Sequence, residues 1–407
     1  MSDPHSSHLS GVTHTSHNIA VIGGGVAGLS ASLALQRAGL APLLYEGRSD
    51  DAFAGMGFLL MPNGAQALRE LTVSPREAEG ARDPMSACGA ALSEMCLFSR
   101  GGELIGAKSA AGAYGVSRPE LMSLISDLGV ALGVRHLSGH TLRAISNTPQ
   151  GFSLSFHHAP PQAARCVVGA DGVRSTVRRD LLGVSALSPS EVLEFVGVSP
   201  ASALRALPLG GPLGLGGARD PSALVKIQDA PRRLAFGYMP LPGERLIWYA
   251  QMAQEDGEMP SEEGEVRRAA LLALFDGWPP VVRALLMACP FERTYRWDTR
   301  DLPPLATARH EGALLVGDAA HASLTLSSQG VSGALEDAVE LERLGRALAL
   351  GELTGRPDLL APRWRDLCAR FEAARAPVWR RRYEEARALQ RDFLTGDTRR
   401  GVPVVAP

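Results

Sequence analysis

Ile19-Ala20-Val21-Ile22-Gly23-Gly24-Gly25-Val26-Ala27-Gly28 is the stretch on which the reading of this chain turns. The apolar run Ile19 to Ile22 reads as a buried strand, and Val26 to Ala38, closed by Gly39, reads as a helix. Between them Gly23 permits a tight turn, Gly25 lets backbone approach a pyrophosphate, and Gly28 lets the helix pack closely on the sheet. Val26 and Ala27 stand in the first turn of that helix, whose N–H groups and partial positive charge suit phosphates. Ala41 to Tyr45 reads as the next strand and ends at Glu46, eighteen residues beyond Gly28, where an acid binds adenosine ribose hydroxyls. The whole is a β-α-β unit with a right-handed crossover that holds a dinucleotide. An acid at Glu46 favours FAD or NAD over NADP.

The rest of the composition narrows the class. In 407 residues, 41 Lys and Arg balance 43 Asp and Glu, and a net charge of −2 argues against a nucleic-acid partner. At ~150 residues per domain the length fits two or three domains. A 45% apolar fraction and a mean hydropathy of +0.01 are those of a soluble globular chain. Lys108 and Lys226 are the only lysines, which we read as coding bias towards arginine. Cys88, Cys96, Cys166, Cys289 and Cys368 are scattered without C-x-x-C spacing, so no metal is expected and a reducing cytoplasm fits. No run reaches the ~18 apolar residues of a transmembrane segment. His5, His8, His14 and His17 lie in an N-terminal stretch read as a disordered tail.

Further along, Asn63 to Leu71 reads as a helix with Asn63 as its N-cap. Cys96 to Ala107 reads as a hairpin turning at Arg100-Gly101-Gly102. Ser117-Arg118-Pro119-Glu120 opens another helix. Leu234 to Met239 and Arg245 to Met252 form a second hairpin, and Glu262 to Phe275 a helix after it. Gly330 to Leu350 and Arg363 to Phe393 are long helices.

Two more glycine-marked segments follow apolar runs: Val167-Val168-Gly169-Ala170-Asp171-Gly172-Val173-Arg174-Ser175 and Leu314-Leu315-Val316-Gly317-Asp318-Ala319-Ala320-His321. With the first, and in this order, they resemble the FAD-dependent monooxygenase family of the para-hydroxybenzoate and salicylate hydroxylases, the group A flavoprotein aromatic hydroxylases. Arg118 with Leu121, and Glu336-Asp337-Ala338, extend the likeness over residues 18 to 350. The resemblance implies that Arg118 and Asp171 lie near the FAD pyrophosphate. It implies that Asp318 holds the ribityl chain or ribose, and that Gln329, Gly330 and Val331 border the flavin ring at a helix N-terminus. FAD is then tightly bound, and NADH or NADPH is a transient co-substrate without a Rossmann domain of its own. The implied reaction inserts one oxygen atom of O2, through a flavin C4a-hydroperoxide, into an apolar aromatic or unsaturated small molecule. Hydroxylation or epoxidation in secondary metabolism would result. Alternatives are a Baeyer–Villiger or halogenase variant, or a flavin-binding protein without turnover.

The expected fold class is α/β: a Rossmann-like FAD-binding domain, an inserted and mostly antiparallel β-sheet substrate domain, and a C-terminal helical section. The expected division is a tail at 1–17, FAD-binding parts at 18–80, 116–188 and 301–350, substrate-domain parts at 81–115 and 189–300, and helices at 351–407. Phe195, Phe236, Tyr238 and Trp248 are the candidates to line the substrate pocket; Phe236 and Tyr238 share a strand face and serve equally as core. Thr325, Ser328 and Ser332 depart from the family's proline, glycine and asparagine; Thr325 and Ser328 are read as plain loop residues, with a hydrogen bond from their hydroxyls to flavin or peroxide as the alternative. His321 is read as structural and Arg380-Arg381-Arg382 as a solvated face. A cytoplasmic monomer or homodimer is expected.

Overall fold

The computed structural model describes residues 17–48, 56–73, 82–205, 207, 221–254, 264–297, 299–349 and 357–397. The first sixteen residues of the expected tail and the start of the helix expected at Glu262 lie outside them. The architecture is α/β, with two large sheets facing each other.

In the first sheet, His17–Ile22 lies at the centre, parallel to Gln162–Gly169 on one side and to Leu43–Tyr45 on the other. Ala313–Leu315 and Arg135–Leu137 continue the parallel set outward. Ile19 to Ile22 are at most 2% exposed, because helices cover both faces of the sheet; this is why the run is continuously apolar. Val26–Arg37 packs against Gly330–Ala349. Gly28 permits the turn: a Cβ there would overlap the Gly23 carbonyl oxygen. The helix Pro62–Thr72 begins one residue before the expected start, with Met61 at the N-cap position and no side-chain cap. Asn63 therefore lies inside the first turn, and its amide is used elsewhere.

The second sheet runs in the order Tyr295–Trp297, Val192–Pro200, Arg245–Ala253, Leu234–Leu241, Leu224–Asp229, Glu94–Ser99, Leu104–Ser109. Every pairing is antiparallel except that of Leu224–Asp229 with Glu94–Ser99. The helices Glu265–Leu274 and Pro280–Ala288 supply Leu271 and Leu285 to the core on its outer face. Here the structure corrects an expectation. Phe195, Phe236, Tyr238 and Trp248 all belong to this outer core. Phe236 and Trp248 stack at 5.6 Å between ring centroids, and Trp248 Nε1–H donates to Ser199 Oγ at 3.1 Å. Strand parity correctly put Phe236 and Tyr238 on one face. The two helices arriving some thirty residues later decide which face is covered.

The C-terminal helix, Pro357–Thr395, clasps both sheets. Trp364 Nε1–H donates to the Gly312 carbonyl at 3.0 Å beside the first sheet, the Phe393 ring lies 5.7 Å from the Lys226 ammonium on the second, and Arg387 grips Asp301 of the short strand pair Ser188–Pro189 and Arg300–Asp301 through two bonds of 2.5 and 2.7 Å. Arg382 is not the solvated residue expected: it pairs with Glu336 at 2.8 Å with its side chain only 12% exposed.

Candidate active site

A cavity of about 570 Å3 lies between the carboxyl-terminal tips of the first sheet and the inner face of the second. At one end it is lined by Gly25, Val26 and Ala27 at the helix N-terminus, with Arg118, Asp318 and Gly172 around them. Further along come Gln329, Gly330 and Val331, and then the inner-face residues of the second sheet. Three distant loops meet here because the tips of parallel strands all open at the same edge of the sheet.

This lining suits a dinucleotide with a pyrophosphate. Apart from Gly25's own chain neighbours, no atom lies within 4 Å of where a Cβ on Gly25 would stand, so a ligand group can approach the backbone closely at this helix N-terminus. Arg118 carries a buried Nε–H with no acceptor. Burial and the neighbouring Arg48 lower its pKa, while Asp318 opposes them, so the guanidinium is poorly compensated where it stands. A phosphate oxygen would complete it.

Two expected contacts are placed otherwise. Asp171 does not reach the cavity: its carboxylate accepts from Ser175 Oγ at 2.5 Å and from the backbone N–H of Thr176 at 2.7 Å and Val177 at 3.1 Å. It caps the helix Thr176–Leu182 and thereby fixes the loop whose Gly172 does line the cavity. Burial raises the Asp171 pKa, with those bonds opposing. Glu46 stands behind Gly24, outside the lining, and accepts from the Gly24 N–H and from Arg48 N–H at 2.7 Å. Burial acts to raise its pKa, but Arg48 and Gly24 bring it below the ordinary value. Gly23 and Gly28 act by packing and are also outside the lining.

The floor beside Gln329 is built by residues that sequence reading gave other roles. Asn63 Nδ2–H donates to Gln329 Oε1 at 3.1 Å and to Glu336 Oε1 at 2.7 Å, which orients the start of the long helix Gly330–Ala349. His321 does not face the cavity. Its Nε2–H donates to Asp337 at 2.7 Å, and its ring stacks on Trp379 at 4.7 Å. The tautomer follows from Asp337 being able only to accept.

The departures at 325, 328 and 332 acquire distinct roles. Thr325 donates its hydroxyl to Glu194 of the second sheet, tying this loop to the opposite wall. Ser332 is fully buried against Gly64. Ser328 has φ +54°, a left-handed conformation that disfavours a Cβ by about 1–2 kcal/mol. Ser328→Gly should therefore raise the urea midpoint, by about 0.5–1 kcal/mol of stability after the greater freedom of the unfolded glycine is subtracted. A fall in the midpoint would instead show that the hydroxyl stabilises the loop.

The inner face of the second sheet carries Glu194, Lys226, Tyr249 and Gln251, none of which the sequence reading singled out. Lys226 did leave a signal: it is one of two lysines in a chain that otherwise uses arginine.

Residues 16–361 match the model of a protein family described as "FAD binding domain". The chain is 29% identical over 407 aligned positions to a 3-amino-4-hydroxybenzoate 2-monooxygenase of Streptomyces platensis, covering 95% of this chain and 91% of that one. It is 25% identical to a 6-hydroxynicotinate 3-monooxygenase of Bordetella bronchiseptica, covering 80% and 82%. Among solved structures, Klebsiella pneumoniae HpxO complexed with FAD and uric acid superposes with a TM-score of 0.75 at 22% identity, covering 94% of this chain and 90% of that one. The matched span contains all three glycine-marked segments and the two large sheets on either side of the cavity, and the protein belongs to the FAD-dependent aromatic hydroxylase family.

Proposed function

We propose that this flavoprotein monooxygenase uses NADH or NADPH to insert one oxygen atom of O2 into a small aromatic or unsaturated molecule held against the inner face of the second sheet. One observation carries the reading. A single cavity runs without interruption from a phosphate-binding helix N-terminus to a wall of mixed polar and apolar side chains. The relatives named for 3-amino-4-hydroxybenzoate and 6-hydroxynicotinate support a compact aromatic substrate.

FAD, when bound, supplies the electron transfer and the activation of dioxygen. The chain supplies placement. Gly25, Val26 and Ala27 offer N–H donors to phosphates, Arg118 a charge, and Asp318 a hydroxyl acceptor at the tip of Ala313–Leu315. The N-terminus of Gly330–Ala349 presents partial positive charge to the middle of the cavity, worth ~0.3–1 kcal/mol to a developing anion and up to ~2 where water is excluded. Met239 and Ile247 with Leu324 give the substrate end an apolar border that limits water.

Purified protein should be yellow and should oxidise NAD(P)H faster when a substrate is added, giving a product heavier by one oxygen atom. Flavin reduction without product in a library of phenols, quinolones and polyketides would leave a flavin-holding protein without turnover. Asp318→Ala is expected to weaken FAD retention about tenfold or more, through loss of charged hydrogen bonds worth ~1.5–3 kcal/mol. Flavin occupancy after gel filtration measures this, and unchanged occupancy removes Asp318 from the cofactor site.

A further inference from the structure

The inner wall of the cavity carries a cation that forms no close ion pair among the described residues. Even-numbered residues of Leu224–Asp229 face the cavity, which places Lys226 there between Leu224 and Gln228. Its accessible surface is intermediate because it faces the cavity rather than open solvent. Among the described residues its ammonium makes no hydrogen bond or close ion pair; its nearest aromatic neighbour is the Phe393 ring, 5.7 Å away. Desolvation lowers its pKa to about 8, although the field of Glu194 opposes this.

Glu194 is the obvious partner, yet its oxygens are already engaged. Oε1 accepts from Gln251 Nε2–H at 2.5 Å, and Oε2 accepts from the Thr325 hydroxyl. Between Glu194 and Lys226 in the sheet lie the strands carrying Gln251, Tyr249 and Gly237. Gly237, paired with both Lys226 and Tyr249, has no side chain, and the Tyr249 ring occupies the space a Cβ would fill. The Tyr249 ring therefore lies over Gly237 in the cross-strand row of Lys226, while Glu194 belongs to the neighbouring row, three strands away from Lys226. Glu194 lowers the cost of holding a buried charge, while the three N–H donors of Lys226 stay directed at a space that a ligand can enter.

We propose that Lys226 determines substrate specificity by pairing with an acidic oxygen of the substrate, a carboxylate, phenolate or enolate. This rests on the reading of the cavity as a flavin and substrate site, and it adds an acidic group to the largely apolar substrate expected. Glu194, fixed by Gln251 and Thr325, is a positioning residue that keeps the ammonium charged and repels a second anion from its own end of the wall.

The test uses the FAD-loaded full chain and follows the flavin absorbance spectrum during titration with matched pairs: 4-hydroxybenzoate against 4-hydroxybenzamide, 2-aminobenzoate against 2-aminobenzamide, and 4-nitrophenol against 4-nitroanisole. The acidic member of at least one pair should bind about tenfold or more tightly than its neutral partner. Lys226→Met should abolish that preference, and Lys226→Arg should keep part of it. Retention of FAD by both variants shows that they fold. Equal affinity within every pair, including the absence of binding by all six compounds, overturns the proposal, as does an undiminished preference in Lys226→Met. A colourless wild-type protein is a different result, because it contradicts the flavin site itself.

Discussion

Asp337→Asn is expected to lower the stability of the fold by about 3–5 kcal/mol, the cost of breaking a buried ion pair on one side. Asp337 is 1% exposed and accepts four hydrogen bonds: from Gly317 N–H at 2.9 Å, His321 Nε2–H at 2.7 Å, Arg375 Nε–H at 2.8 Å and Trp379 Nε1–H at 3.1 Å. Burial acts to raise its pKa, but His321 and Arg375 with their hydrogen bonds hold it far below the ordinary carboxylate range. An asparagine at this position presents two donors among four donors and leaves Arg375, itself 8% exposed, without its main counter-charge. The network joins the Gly317 turn, the long helix Gly330–Ala349 and the C-terminal helix, so its loss should also loosen the loop that carries Asp318. Urea denaturation of the wild type and variant at pH 7 measures the effect, and midpoints that agree would show the network to be dispensable.

The pH dependence follows from the sign of the shift. A carboxylate with a depressed folded pKa contributes stability that is fully present above its unfolded value near ~3.9 and is lost as pH falls through the folded value. The difference between wild type and Asp337→Asn should thus be constant through neutral and mildly acidic pH and shrink only below about pH 4. Replacing both Asp337 and Arg375 by apolar residues should recover part of the loss, because no unpaired charge then remains.

Gly28→Ala is the other large effect. The added Cβ would overlap the Gly23 carbonyl oxygen and stand 2.9 Å from its carbonyl carbon, both backbone atoms that cannot swing aside. Either the helix Val26–Arg37 lifts from the turn or the turn itself opens. Both outcomes disperse the N–H groups that face the cavity. The expected result is protein that retains no flavin and melts at a markedly lower temperature. Gly25→Ala provides the contrast, because nothing lies within 4 Å of its Cβ. That variant should melt like the wild-type apoprotein yet retain FAD about tenfold less well, its methyl group standing where a phosphate must approach. If both variants bound FAD normally, the assignment of this turn to the pyrophosphate would be wrong.

Legibility in the sequence followed the distance over which each choice was made. The strand and helix around Gly23 to Gly28, the strand leading to Asp318 and the long helix from Gly330 were readable because glycine, apolar runs and helix starts act within a few residues. Asp171 was read as a cofactor contact because its motif was familiar. Its true partners, Ser175, Thr176 and Val177, stood in plain view a few residues on, and the capping arrangement was a signal that could have been used. Phe236 and Tyr238 were correctly read as sharing one face, and of the two roles left open for them, core and pocket, the structure gives core.

The amino-acid order alone determined that a β-α-β unit of the FAD-binding kind is present and where its glycine turn falls, since these depend on backbone shapes that only particular neighbours allow. Tertiary structure alone decided the character of the substrate wall. Lys226, Glu194 and Thr325 come to line one cavity, with Glu194 bonded to Thr325 across 131 residues, and Asn63 reaches Gln329 across 266. Strand periodicity carries no information about which face a later helix will cover. An ammonium that forms no close ion pair among the described residues is therefore visible only once the sheets have closed on each other.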